Sequence, residues 1–178
     1  FTGTVDFDPG AGVASLSSAG GSDGFVAKYS PQRELLWVRR FGGSGEDMVN
    51  ALAVSGSKAI YFGGRFQGSA FFDAQVSSRS LSAVGGPDAF IGRFDGDGAV
   101  SWVDGYGGND FDDVTAIGVQ PDGNIVAAGS FDSAVDFDRG AGSQLLSAQY
   151  LNDVFILGLT PSGDYRWVRQ FAGSGYQY

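Results

Sequence analysis

Residues 88–106, DAFIGRFDGDGAVSWVDGY, decide the fold of this chain. On both sides of Asp95-Gly96-Asp97-Gly98, apolar residues alternate with small or polar ones, and an alternation of period two is typical of a β-strand. The Gly and Asp residues between the two halves are typical of a tight turn. The stretch therefore predicts two antiparallel strands, about 88–94 and 99–106, that form a hairpin.

The same pattern recurs every 65 residues, as Trp37, Trp102 and Trp167 show. Ten positions are identical in all three copies when they are aligned at this spacing. A fixed period of this length is typical of a protein built from stacked structural repeats. The predicted units are 1–65, 66–130 and 131–178, of which the last is incomplete.

A second hairpin is predicted from strands at about 114–119 and 124–131, which flank the turn Gln120-Pro121-Asp122-Gly123. No stretch has the period of a helix, so the fold class is all-β. Four antiparallel strands per repeat are the composition of a β-propeller blade. The rest of a unit, 131–152 in the last one, is expected to be a Gly- and Ser-rich excursion with one short strand (AVDF).

Counted from the innermost strand, two complete blades span about 50–106 and 114–171, and the outer half of another precedes them at 1–42. Two and a half blades cannot close a ring. We therefore expect an incomplete ring, either a fragment of a longer propeller or an assembly in which several chains complete one another. A β-solenoid and a stacked sandwich are the alternative architectures.

Several stretches carry a family resemblance. They are 1–10 (FTGTVDFDPG), 18–29 (SAGGSDGFVAKY), 36–47 (LWVRRFGGSGED) and 51–54 (ALAV). As a set they resemble the bacterial SBBP-type β-propeller repeats over nearly the whole chain. The resemblance implies a β-propeller fold and an extracellular or cell-surface location, and it implies no activity. The sequence departs from the pattern at 70–75 (AFFDAQ) and 149–152 (QYLN).

Composition limits the classes of function. The net charge is −9 and only 11 residues are Lys or Arg, whereas a nucleic-acid site needs clustered basic residues. Histidine and cysteine are absent, which removes the usual general base and nucleophile pairs of enzymes. Apolar stretches are too interrupted by charge for membrane insertion. The chain starts in mid-pattern without a signal peptide, so we expect a processed or excised piece.

One candidate metal site rests on the spacing Asp-x-Asp-x-Gly. Asp6 and Asp8 have this spacing, as do Asp136 and Asp138, and two carboxylates on one side of a loop suit a hard cation such as calcium. No further cofactor is expected. The alternative is that these aspartates form hydrogen bonds within strand-end turns.

The repeated polar and aromatic residues favour a scaffold over catalysis, because a catalytic residue is needed once. Asp23, Asp88 and Asp153 are expected to bind backbone amides at strand entries, as are Asp47 and Asp112. The tryptophans are expected to pack between adjacent blades, and Arg39, Arg40, Arg65 and Arg169 to pair with the acidic excess. The variable loops 9–22, 74–87 and 139–152 are the predicted binding surface.

The sequence therefore predicts a non-catalytic extracellular interaction or structural module that presents Gly/Ser-rich loops to a protein or polysaccharide. One alternative is a self-assembling surface or filament component completed by strand sharing between chains. The other is a fragment of a propeller glycosidase or lyase that uses Asp pairs from different blades.

Overall fold

The computed structural model describes residues 1–72, 79–149 and 151–173, which contain sixteen β-strands and no helix. None of these residues therefore belongs to a helix that is long and apolar enough to cross a membrane. The strands are β1 (Thr4–Asp6), β2 (Ser15–Ser17), β3 (Gly24–Tyr29), β4 (Leu35–Gly43), β5 (Met48–Val54), β6 (Ile60–Phe66), β7 (Ser69–Phe71), β8 (Ser80–Ser82), β9 (Asp88–Phe94), β10 (Val100–Tyr106), β11 (Asp113–Val119), β12 (Ile125–Phe131), β13 (Ala134–Asp136), β14 (Leu145–Ser147), β15 (Asp153–Leu159) and β16 (Tyr165–Phe171).

The strands form three antiparallel sheets of four and two small hairpins. The first sheet has the order β3-β4-β7-β8, the middle sheet β5-β6-β9-β10 and the last sheet β11-β12-β15-β16. The small hairpins are β1-β2 and β13-β14. The predicted all-β class with antiparallel four-stranded sheets is confirmed. The described sheets do not close into a ring.

Both turns predicted from the sequence are present. The Gly98 amide donates to the Asp95 carbonyl at 3.2 Å, and the Gly123 amide donates to the Gln120 carbonyl at 2.9 Å. Gly98 and Gly123 have φ of +80° and +86°, which favours glycine because it has no Cβ. The turns fix the register of β9 with β10 and of β11 with β12, and the observed strand limits lie within one residue of the predicted ones.

The excursion at 131–152 differs from the prediction. It was expected to hold one short strand, but Leu145–Ser147 pairs with Ala134–Asp136 and forms a hairpin. Strands of three residues are too short to show a period in the sequence. The same kind of hairpin is formed by β1 with β2 and by β7 with β8.

The middle sheet is buried on both faces because apolar side chains occupy successive positions of its strands. In β6, Phe62 packs in a core against the first sheet, whereas Tyr61 packs in a core against the last sheet. In β9, Phe90 and Ile91 divide between the two cores in the same way. Such continuous apolar runs are typical of strands covered on both sides.

Each of two tryptophans also contacts a turn of the following sheet, an arrangement we term the Trp-turn contact. The Trp37 indole Nε1 lies 3.4 Å from the Gly96 carbonyl, and the Trp102 indole Nε1 lies 3.2 Å from the Pro161 carbonyl. Both rings are partly buried against the cores. Trp37 and Trp102 therefore join neighbouring sheets, as the sequence predicted, whereas Trp167 meets no following sheet among the described residues.

The first sheet is open where the others are covered. Among the residues that the structure describes, β3 pairs with β4 alone, whereas β9 and β15 have a strand on each side. Phe25 in β3 is 41% exposed, but Phe90 and Phe155 at the same position are 0% and 1% exposed. Two further strands beside β3 would be needed to make the first sheet resemble the others.

Candidate functional site

Asp6 and Asp8 organise the loop that follows β1. The Asp6 Oδ1 atom accepts hydrogen bonds from the amides of Asp8 and Ala14, at 3.0 and 2.8 Å. The Asp8 Oδ1 atom accepts one from the Gly10 amide at 2.7 Å. The amides of Ala14 and Asp8 lower the pKa of Asp6 because they stabilise its charged form. These two carboxylates thus hold the backbone of their own loop.

Asp136 and Asp138 form the same network in the last unit. The Asp136 Oδ1 atom accepts the amides of Asp138 and Gln144, at 3.0 and 2.7 Å, and its Oδ2 atom accepts the Ser143 hydroxyl. The Ser143 hydroxyl and the Gln144 amide lower the pKa of Asp136. The repeat therefore preserves a hydrogen-bonded turn as well as a sequence motif.

The donor set of these loops falls short of a complete calcium site. Calcium takes six to eight oxygen ligands, and each loop offers two carboxylates whose Oδ1 atoms already accept amides. No group of three or more Asp or Glu residues that could hold a metal occurs in the part of the chain that the structure describes. The sequence suggested calcium or strand-end turns, and the geometry favours the turns.

A second set of carboxylates is buried at the strand entries. Asp47 accepts the amides of Gly43 and Gln67, and Asp112 accepts the amides of Gly108 and Asp132. Asp23, Asp88 and Asp153 each accept the amide four residues before them. The prediction that these aspartates bind backbone amides is confirmed.

Asp23, Asp88 and Asp153 occupy the same position in the three sheets, but the side chains that contact their carboxylates differ. The Arg40 guanidinium lies 2.7 Å from Asp23 Oδ2, and the Gln170 amide nitrogen lies 2.6 Å from Asp153 Oδ2. The middle sheet has Gly105 at the position of Arg40 and Gln170. Asp88 therefore lacks the side-chain donor that Asp23 and Asp153 have at Oδ2, whereas the Oδ1 atoms of all three aspartates are buried without a hydrogen-bond partner among the described residues.

Burial raises the pKa values of Asp88, at the start of β9, and of Asp112, just before β11. The pKa of Asp88 is raised to about 6, and that of Asp112 to about 7, where the charge of Asp88 adds to the effect of burial. Loss of hydration disfavours the charged form, and a like charge nearby acts in the same direction. Asp88 and Asp112 are thus a buried pair that titrates near neutral pH.

Sequence reasoning missed a polar cluster between the middle and last sheets. The Asn50 amide nitrogen lies 2.7 and 2.9 Å from the two carboxylate oxygens of Asp113, and the Arg65 guanidinium lies 3.0 Å from Asp113 Oδ2. The prediction that basic residues pair with acidic ones is confirmed for Arg65 and Arg40. No motif could have identified Asn50, because its partner is 63 residues away.

The predicted binding loops expose apolar side chains. Val13 is 79% exposed and Leu145 is 61% exposed, and both lie in excursions whose backbone is held by Asp6 or Asp136. Val84 and Leu151 are also exposed. Residues 74–78 of the predicted loop 74–87 and Tyr150 of the loop 139–152 lie outside the described residues.

Comparison with known proteins adds no identification. A scan against protein-family models found no match, and a search of curated proteins found no relative. The resemblance to SBBP-type repeats therefore stays a prediction from the residues that carry it.

Proposed function

We propose that this protein is a non-catalytic extracellular interaction or structural module, in which four-stranded sheets stack as β-propeller blades and present loops to a protein or polysaccharide. The observation that carries this proposal is the exposure of Val13 and Leu145 on loops with a fixed backbone. An apolar side chain held in water by an ordered loop contributes to affinity when a partner covers it. The extracellular location comes from the resemblance alone.

The arrangement of carboxylates supports a scaffold over an enzyme. A glycosidase needs an acid and a base that face a substrate across an open cleft. Asp47 and Asp112 use both carboxylate oxygens to bind backbone amides, and both residues are buried. These contacts make them structural residues of the repeat.

A binding assay tests the leading proposal. Wild-type protein is incubated with insoluble peptidoglycan, chitin and a panel of immobilised extracellular proteins, and the retained fraction is measured. At least one surface should retain the wild type, and Val13→Asp with Leu145→Asp should reduce retention at least tenfold. Leu36→Asp, which changes an exposed side chain on β4, is the matched control. Equal retention of both variants would contradict the proposal.

A second candidate function, self-assembly by strand sharing, is favoured by the free edge of β3. An edge strand with unpaired amides and carbonyls is a template for a strand of another chain. Because Phe25 is exposed beside this edge, an added hairpin would cover apolar surface as well as satisfy hydrogen bonds. Hydrogen exchange tests this candidate: the outward amides of β3 should become protected as protein concentration rises.

A further inference from the structure

The outer edge of β4 lacks a neighbouring strand along most of its length. On this side of β4, β7 pairs only with Gly42 and Gly43, so the backbone from Leu35 to Phe41 has no strand partner there among the described residues. An edge strand directs unpaired amides and carbonyls outward. The pairing with β7 shows that this edge accepts an antiparallel strand.

Stacking of the sheets leaves this kind of edge uncovered. The middle sheet is packed on both faces, and its outer strand β10 still pairs with β9 alone in the part of the chain that the structure describes. The outer edge of β4 and the free edge of β3 lie on opposite sides of the first sheet. They are therefore separate surfaces.

A groove of about 670 Å³ runs beside the outer edge of β4. β4 forms one side of the groove, and the turn between β9 and β10 forms another through Gly96 and Asp97. The lining carries the positive charges of Lys28 and Arg39 against the negative charge of Asp97. The groove is therefore cationic, although the chain has a net charge of −9.

Carbonyl groups of the turn hold both cations in place. The Lys28 Nζ atom donates to the Gly96 carbonyl at 2.6 Å, and the Arg39 Nε atom donates to the Gly98 carbonyl at 2.9 Å. The Arg39 guanidinium also lies over the Trp37 ring, 5.5 Å from its centroid. Side chains that are fixed in this way lose little further freedom when a ligand binds. The two charges thus form a preorganised site.

Neither cation has a carboxylate partner within the described residues, where the ion pairs join other side chains. An ammonium group has three N–H donors and a guanidinium group has five. Lys28 uses one of its donors, and Arg39 makes three contacts with backbone carbonyls. Each cation therefore keeps two donors for an anionic ligand.

The direction of the side chains on β4 sets the chemistry of a partner. Successive side chains of a strand point to opposite faces of its sheet. Trp37 and Arg39 point toward the middle sheet, since both contact its turn, so every second side chain of an added strand would face the same cations. Carboxylates at these positions would pair with Lys28 and Arg39. A cationic edge also repels a copy of itself, which favours an acidic partner.

We propose that the outer edge of β4 binds an extended acidic segment of a partner protein, which adds a strand antiparallel to β4 and carries Asp or Glu at alternate positions. Backbone hydrogen bonds to Leu35–Phe41 supply the pairing, and Lys28 and Arg39 select the acidic side chains. This surface is additional to the loops that carry Val13 and Leu145.

Fluorescence anisotropy with a labelled octapeptide of alternating threonine and glutamate tests this proposal. Wild-type protein should bind the peptide saturably, and Arg39→Asp should weaken binding about tenfold or more, because it reverses a charge in the groove. The middle sheet has Asp104 at this position. Arg169→Asp is the matched control, because it changes the same position of the last sheet, where no following turn forms a groove among the described residues. It should leave the affinity unchanged.

Backbone pairing is tested on the wild type with the same peptide N-methylated at its central residues, which keeps the charge and removes amide donors. This peptide should bind about tenfold more weakly or worse, and oligogalacturonate, a carboxylated polysaccharide, should compete no better than it does. Thermal melting establishes that each variant is folded.

Three results would overturn the proposal: no saturable binding by the wild type, equal affinity for the N-methylated peptide, or equal effects of Arg39→Asp and Arg169→Asp. Oligogalacturonate that binds more tightly than the peptide would also overturn it and would assign the groove to a polysaccharide. Peptide affinity and retention through the loops are separate readouts, so the two proposals fail independently.

Discussion

At the scale of single residues, the buried pair Asp88 and Asp112 makes the stability of the protein depend on pH. Their pKa values of about 6 and about 7 in the folded state lie above the ordinary value of 3.8. The folded state therefore holds protons that the unfolded state has released. The stabilisation from these protons is complete below about pH 4 and is lost as pH rises through 6 to 7.

Asp88→Asn should remove much of this dependence. An asparagine can accept the Val84 amide through its carbonyl, as Asp88 Oδ2 does now, and it carries no charge at any pH. We expect the melting temperature of the wild type to fall between pH 5 and pH 8, and that of Asp88→Asn to fall markedly less. Scanning calorimetry across this range measures both.

Asp153→Asn is the matched control for this experiment. Asp153 occupies the position of Asp88 in the last sheet, but Gln170 contacts its carboxylate and the sequence has Gln177 where Asp112 would stand. The variant should keep the slope of the wild type. Parallel curves for wild type and Asp88→Asn would show that this pair does not cause the pH dependence.

Asp136→Ala distinguishes a calcium ligand from a turn-forming residue. The change removes three hydrogen bonds of the loop after β13, so we expect a loss of about 2 kcal/mol. The loss should be the same in calcium and in EDTA, as judged by chemical denaturation. A bound ion would instead stabilise the wild type in calcium alone, and a loss that disappears in EDTA would establish calcium binding.

At the scale of strands and turns, the Trp-turn contact gives a direct comparison within one chain. Trp102 packs against the turn of the last sheet, whereas Trp167 meets no such turn among the described residues. Trp102→Ala should cost about 3 kcal/mol of unfolding free energy, and Trp167→Ala less than about 1 kcal/mol. Urea titration of both variants measures the difference, and equal losses would contradict the role of the contact.

The strands and turns were the part of the fold that local sequence could predict. Alternation in β9 and β10 and the Gly-containing turn between them are properties of adjacent residues, so the sequence contains their cause. The hairpin partner β14 was missed because three residues show no period. The Asn50, Arg65 and Asp113 cluster was missed because its members meet only after two sheets stack, a contact that no local pattern encodes.

The candidate site, too, could be predicted only where its residues are close in the sequence. The sequence singled out Asp136 and Asp138 as a local motif, and the amide partners of both lie within eight residues. Whether the motif binds an ion depends on which oxygens remain free after the loop folds. Hydrogen bonds within the folded loop decide which carboxylate oxygens remain free, and the spacing of the aspartates does not reveal these bonds.

At the scale of the whole molecule, the chain has two unlike open ends. The first sheet exposes Phe25 beside the free edge of β3, and the last sheet exposes Phe171 beside Trp167. Apolar surfaces next to an unpaired strand promote association. The central structural claim is that β3 and β4 correspond to half of a four-stranded sheet such as the middle one, and that its two missing strands, beside β3, are supplied by another chain.

The solution mass of the chain, measured by light scattering across concentration, tests that claim most directly. We predict that the mass of the wild type rises with concentration and that Phe25→Asp remains a monomer, whereas Leu36→Asp behaves as the wild type. The surface beside β3 would then be a site of strand addition. A wild-type chain that stays monomeric at every concentration, with Phe25→Asp indistinguishable from it, would contradict the claim.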